Sequence, residues 1–210
     1  ARTFYSGGLC TTRDPIPTRA EARAKLGIDP ERELIVVLTG GGGAGTPYAP
    51  LTVGARAAPD ALWLVLGPTL REGHETDFAN LRELGWVPNV TDHLAAADIV
   101  LASAGDNTVH EAARVGARLA VMPEWRYFAE QHRKADALVA ISAAASAPAW
   151  PGDFSAWTDL LDRARALDPD IIRSLHAPEA ARRGAQWLEG LTDELWAGAA
   201  PVEAPLLRAV

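Results

Sequence analysis

The sequence predicts an α/β fold, a doubly wound parallel sheet of about six strands with helices on its faces. Short apolar runs recur along the chain, and most are bounded by turn residues. Between them lie segments with helix caps and helical spacing, so strands and helices alternate. One junction is especially informative. Asp98–Ala102 reads as a buried parallel strand, passes through small and polar residues, and enters a helix that stops at Gly116.

In chain order, Ala1–Gly8 has no Met and no helix start. Residues 18–26 form a short amphipathic helix, with Thr18 as cap and Gly27 as stop. Glu33–Leu38 is the first strand. It opens into a glycine loop containing Gly40, Gly41, Gly42 and Gly43, ahead of a helix. Without Cβ atoms the main chain there can approach a phosphate. No Gly-Lys-Ser/Thr ending follows, which excludes the P-loop of an ATPase. A dinucleotide fingerprint fits by spacing, but a run of glycines fits almost any such pattern. Ala61–Leu66 is the second strand, ended by Gly67-Pro68. Thr76–Leu84 reads as a helix and Gly85–Val87 as a short third strand. Asn89–Ala96 is helical, 98–102 is the fourth strand and Arg118–Met122 the fifth. A helix is expected over Ala129–Asp136 and a sixth strand over Ala137–Ile141. Ala143–Asp153 reads as a loop, Phe154–Leu167 and Ala177–Trp196 as amphipathic helices covering the sheet, and Pro201–Val210 as a tail.

The stretch Ser103–Glu111 carries the chemistry. Strand, tight small-residue turn and helix aim free backbone N–H groups at an anion. Asn107 and Thr108 stand where a phosphate oxygen needs side-chain donors. Glu111 lies about one turn further in, roughly 5–6 Å along the axis, a reach that suits the hydroxyls of a ribose. A second reading stays open, in which Thr108 and Glu111 form a capping box.

From Trp86 to Gln131 the chain resembles the donor-binding signature of GT-B glycosyltransferases that use nucleotide-diphosphate sugars. The matching residues are Gly85-Trp86-Val87-Pro88, Ala97-Asp98, Ser103, Gly105, Asn107, Thr108, Glu111, Gly116, Pro123 and Glu130-Gln131. The pattern is similar to the plant and macrolide enzymes and to the MurG-like lipid-linked sugar transferases. It implies a Rossmann-like domain, one half of a GT-B fold, spanning 18–200. Residues 1–17 resemble an interdomain linker, so the chain reads as part of a larger protein or as a half that pairs with another chain.

Carried over residue by residue, the resemblance implies that Trp86 and Val87 hold the base. Gly105, Asn107 and Thr108 hold the diphosphate, Glu111 the ribose, and Glu130 with Gln131 the hydroxyls of the transferred sugar. Ser103 stands where many relatives have a histidine, and Lys134 where many have an asparagine. The implied activity is transfer of a sugar from a UDP- or TDP-sugar, without cofactor or metal, to an acceptor held by an N-terminal domain. That domain would also supply the base, leaving this half inactive by itself. A nucleotide-sugar hydrolase or epimerase half, and a non-catalytic subunit of a two-chain transferase, are the alternatives.

Composition bounds these readings. The 210 residues are 48% hydrophobic and 22% charged, ordinary for one soluble domain. No run reaches the length of a membrane span. One cysteine, Cys10, excludes an internal disulfide and fits a reducing cytoplasm. A net charge of -7 argues against a nucleic-acid surface but not against a nucleotide-sugar held by amides and hydroxyls. Asp168-Pro-Asp170 spells a DxD metal mark, but its setting reads as a helix start. His93 and His110 read as solvated or capping residues rather than catalytic ones.

Overall fold

In the computed structural model, which describes residues 3–9, 15–40 and 45–197, eight strands form two sheets. The large sheet contains β1 (Leu34–Leu38), β3 (Leu62–Leu66), β5 (Leu81–Gly85), β6 (Ile99–Ala102), β7 (Leu119–Val121) and β8 (Ala144–Ser146). Its order is β5-β3-β1-β6-β7-β8, and every pairing is parallel. The small sheet pairs β2 (Thr46–Pro47) with β4 (Thr69–Leu70). Gly41, Gly42, Gly43, Cys10 and the 201–210 tail lie outside the described residues.

The winding explains where a ligand can sit. From β1 the chain moves outward to β3 and β5, then returns to place β6 on the other side of β1. The topological switch therefore falls between β1 and β6, where crossovers diverge and leave a crevice at the carboxyl ends. Gly40 follows β1 there, and Ser103 follows β6.

Alternation along each strand builds two cores. Leu34, Val36, Leu38, Val100, Ala102, Leu119 and Val121 face α1 (Arg19–Leu26), α3 (Val90–Ala96), α4 (Asp106–Val115), α5 (Glu130–Ala140) and α7 (Pro169–Arg173). Ile35, Val37, Trp63, Val65, Ile99 and Leu101 face α2 (Tyr48–Ala57) and α6 (Phe154–Arg165). Both faces of these strands are buried, which is why they read as continuous apolar runs. On the second face Trp157 meets Trp63 edge-on, with centroids 5.3 Å apart, and its indole N–H donates to the Pro50 carbonyl at 3.0 Å. Gly54 allows that approach, since a Cβ there would lie 2.7 Å from Trp63 and 2.9 Å from Trp157.

Three expected elements differ. Residues 76–80 are not helical, and Leu81–Gly85 is the edge strand β5 instead of the end of a helix. The local sequence favours a helix, but pairing with β3 and the Asn80 side chain override it. The Asn80 amide donates to the carbonyls of Ala55 and Ala61 at 3.0 and 3.2 Å, pinning the strand's entry. Ala137–Ile141 is not a strand: α5 runs to Ala140, leaving Val139 and Ile141 partly exposed. The sixth strand is β8, inside the expected loop. Finally, α8 (Ala180–Trp196) does not cover the sheet, because Ala180 is its buried residue. It is met by the first residues of the chain, with Phe4 stacked on Trp187 at 5.4 Å and Arg183 donating to the Ser6 carbonyl at 2.8 Å.

At the amino edge, Arg23 is 2% exposed and paired with Asp98 at 2.6 Å. Asp98 also accepts from the Leu34 N–H at 2.7 Å. Removing one partner of a buried pair leaves the other charge uncompensated. Asp98→Ala is therefore expected to lower the unfolding free energy by about 3–5 kcal/mol, read by urea denaturation. A loss below about 1 kcal/mol, the range of exposed pairs, contradicts that role.

Candidate functional site

The helix start at the end of β6 excludes the capping-box reading of Thr108 and Glu111. Gly105 is the N-cap of α4, with φ -68 and ψ 146, and no side chain caps it. Asp106, Asn107 and Thr108 are the first three helical residues, so Thr108 lies inside the helix and cannot close a capping box with Glu111. The N–H groups of that first turn have no intrahelical partner. They stand at the carboxyl end of β6, beside the switch point, where the positive end of the helix dipole favours an anion.

Several expected residues converge there. A Cβ on Gly40 would lie 3.6 Å from the Thr108 hydroxyl, which places the end of β1 against the start of α4. Thr39 and Thr46 are buried and bonded through their hydroxyls, closing the base of the glycine loop. A Cβ on Gly105 would lie 3.7 Å from Ser103 Oγ and 3.8 Å from Gln131 Nε2. Gln131 is 3% exposed, and its Oε1 accepts from the Glu124 N–H at 2.8 Å. That bond turns the amide nitrogen toward Gly105. Asn107 is exposed and shares a helix face with Glu111, four residues on.

Trp86 stands apart from this group. It is 70% exposed, on the loop between β5 and α3, and Val87 beside it packs against the first core. Glu130 opens α5 and is paired with Lys134 at 2.7 Å. Lys134 also pairs with Asp106, joining the first turns of α4 and α5. Burial alone would lower the Lys134 pKa, but its hydrogen bonds to the Asp106 and Glu130 carboxylates prevail and hold it above the usual amine value.

This Lys134 bridge was legible only in part, as a departure from the asparagine of relatives. The i,i+4 spacing from Glu130 was a further signal, while Asp106 lies 28 residues away in sequence. The segment from Glu124 to Ala129, whose length resembles that of the MurG-like group, presents its aromatic residues to solvent. Trp125 and Tyr127 meet edge-on with centroids 5.1 Å apart, and Phe128 is 89% exposed. Phe128 and Ala129 have positive φ values of 62 and 53, an uncommon conformation for residues with a Cβ.

The remaining candidates fall elsewhere. Asp168 caps α7, accepting from the Asp170 N–H at 2.9 Å, which accounts for the DxD. His93 is buried rather than solvated, with Nδ1 2.9 Å from the Asn89 carbonyl. His110 is half-buried on α4, and the main chain of Gly8 lies against its ring where a Cβ would be. Among the described residues no helix is long and apolar enough to cross a membrane.

Comparisons with known proteins bear on this geometry. No protein-family model matches the chain. It is 31% identical over 166 residues to the UDP-N-acetylglucosamine--N-acetylmuramyl-(pentapeptide) pyrophosphoryl-undecaprenol N-acetylglucosamine transferase of Cutibacterium acnes, covering 75% of this chain and 44% of that protein. The calicheamicin glycosyltransferase CalG4 superposes with a TM-score of 0.62 at 18% identity, over 80% of this chain and 45% of that one. The chain has the fold of one half of a GT-B protein. MurG of Acinetobacter baumannii matches with a TM-score of 0.56 at 17% identity, over 83% of this chain and 54% of that one. The chain thus spans about half the length of the proteins it matches.

The helix that opens at the crevice, α4, also carries a titratable group. Burial first, and then the charges of Lys134 and His176, hold the His110 imidazole below its ordinary 6.5 against the opposing pull of Asp106. His176 is lowered too, by burial and then Arg114. Both rings favour the neutral form in the folded chain, so the unfolded chain binds more protons just below pH 6.5. Their stabilising contribution is complete above that value and declines as pH falls. Urea midpoints measured from about pH 7 down to 5 should drop, and His110→Phe should flatten the drop. An unchanged slope in His110→Phe contradicts the assignment.

Proposed function

We propose that this chain is the donor-binding half of a glycosyltransferase that uses a UDP- or TDP-sugar. The observation that carries the reading is the uncapped first turn of α4 at the switch point, with Gly40, Ser103 and Gln131 around it. The relative from Cutibacterium acnes is named as a transferase of N-acetylglucosamine from its UDP derivative, which favours the same class of donor. In this reading the diphosphate lies across Gly105, Asn107 and Thr108, with Glu111 accepting from the ribose hydroxyls. The Gln131 amide nitrogen, with Glu130 beside it, reads the transferred sugar. Trp86 and Val87 flank the base.

The chemistry asked of this half is electrostatic. As the glycosidic bond to the diphosphate breaks, negative charge grows on the leaving oxygen. The α4 amides meet that charge without reorganising, so they hold the transition state more strongly than the ground state. Lys134 adds a fixed positive charge close by and ties Asp106 away from the ligand. The acceptor and the base that deprotonates it come from a second domain, so the isolated chain binds nucleotide without turning it over.

A ligand that binds only the folded chain raises the melting temperature. UDP, TDP and their sugars are therefore expected to stabilise the domain. Glu111→Ala should weaken UDP binding about ten- to a hundredfold by calorimetry, the loss of one or two charge-assisted hydrogen bonds. Equal affinity of wild type for ribo- and dideoxynucleotides sinks the ribose assignment. Gln131→Ala should cost affinity for a UDP-sugar and leave UDP nearly unaffected. Trp86→Ala should cost about 1–3 kcal/mol with either ligand, by analogy with base–aromatic stacking. Unchanged nucleotide binding in Trp86→Ala removes it from the site.

A further inference from the structure

At the opposite edge of the sheet, the amino ends of β6 and β7 and the last turns of α3 and α4 enclose a cavity of about 590 Å³. That volume is within the range of small-molecule sites. Four arginines line it, Arg19, Arg114, Arg118 and Arg173, together with His176. The one carboxylate in the lining is Asp98, and it is already engaged by Arg19, by the buried Arg23 and by the Leu34 N–H. Arg118 spends its Nε on a neutral carbonyl, that of Leu167, at 3.1 Å. The Arg173 guanidinium pairs with Asp170 through Nη1, while its Nη2 and Nε lie over Gly116, in the space a Cβ would occupy.

Part of this charge has a local explanation. Arg173 and Arg114 lie at the carboxyl end of α4, where the helix dipole favours cations. Even with Arg19 shared with Asp98 and Arg173 with Asp170, four guanidinium groups face one cavity. Arg114 also depresses the neighbouring His176, which marks the region as electropositive within a chain of net charge -7. Concentrated guanidinium groups in a concave site match the geometry of phosphate oxygens, which they can bind in bidentate fashion.

We propose that this cavity is a second anion-binding site, separate from the crevice and selective for a phosphate group, either free phosphate or the headgroup of an anionic lipid. Arg173 and Arg118 supply the fork-like donors, and Arg19 and Arg114 the surrounding positive field. The site is independent of the nucleotide-sugar reading, because it lies at the other end of the strands.

The test uses the ¹⁵N-labelled chain titrated with inorganic phosphate against chloride at constant ionic strength. Saturable shifts are expected at the amides of Gly116, Ala117, Arg118 and Arg173. Shifts at Gly105–Thr108 report the crevice separately. Arg173→Ser should weaken the first set about tenfold and leave the second unchanged, with Arg173→Lys intermediate. Arg19→Ser, at another exposed position, should weaken it in the same direction. In a parallel arm, the chain is sedimented with vesicles of phosphatidylcholine alone or mixed with phosphatidylglycerol. Retention on the mixed vesicles that Arg173→Ser abolishes identifies a lipid headgroup. Saturable phosphate shifts without such retention identify free phosphate. The absence of both, or responses that neither arginine variant changes, overturns the proposal.

Discussion

The structure depends on a buried ion pair at the amino edge of the sheet. Arg23 sends Nη2 to Asp98 and Nε to the Ala96 carbonyl at 3.0 Å. Its Nη1 reaches the carbonyls of Asp29, Pro30 and Arg32 at 2.8, 2.9 and 2.8 Å. One side chain thereby ties α1, the loop after it and the end of α3 to the start of β6. Asp98 completes the tie by holding the first amide of β1. A desolvated guanidinium is tolerable only with this many partners. The result is a fixed register, Ile35 against Ile99 through Leu38 against Ala102. Strands locked at one end are also aligned at the other, about 3.3 Å per residue further on. The juxtaposition of Gly40 with Thr108 at the crevice follows from a contact made at the far edge.

The helix α4 extends that logic across the domain. Its ten residues span about 15 Å, from the uncapped Gly105 end to the left-handed Gly116 cap. The backbone dipole makes the two ends unlike. At the amino end the unpartnered N–H groups suit an anion directly. At the carboxyl end the helix attracts guanidinium groups, and those in turn form an electropositive cavity. Two electropositive surfaces on opposite edges thus arise from one element by different routes.

The crevice also shows how local charge is balanced within the fold. Asp106 sits at the first helical position, where its carboxylate favours the helix. Lys134 neutralises it and at the same time fixes the start of α5. With Gln131 held by the Glu124 amide, the two helix starts and the β7–α5 segment behave as one unit. The left-handed Phe128 and Ala129 turn that segment sharply into α5, leaving Trp125, Tyr127 and Phe128 exposed beside it.

The sequence by itself determined the alternation of strands and helices, the helix from Arg19 to Leu26 with both its caps, and the strand–turn–helix at 98–116. Those features are written locally, in continuous apolar runs, a capping Thr18 and stop glycines, so no distant contact is needed to read them. The resemblance around Gly105, Glu111 and Gln131 was likewise carried by spacing. Tertiary structure decided the rest. Ala137–Ile141 is apolar enough for a strand or a helix, and the docking of Leu138 in the core makes it the end of α5. The alanines of β8 have weak strand preference and become a strand only through pairing with β7. Leu81–Gly85 leaves its local helical tendency for an edge pairing with β3. The bridge from Lys134 and the arginine cavity join residues tens of positions apart, and only the folded chain brings them together.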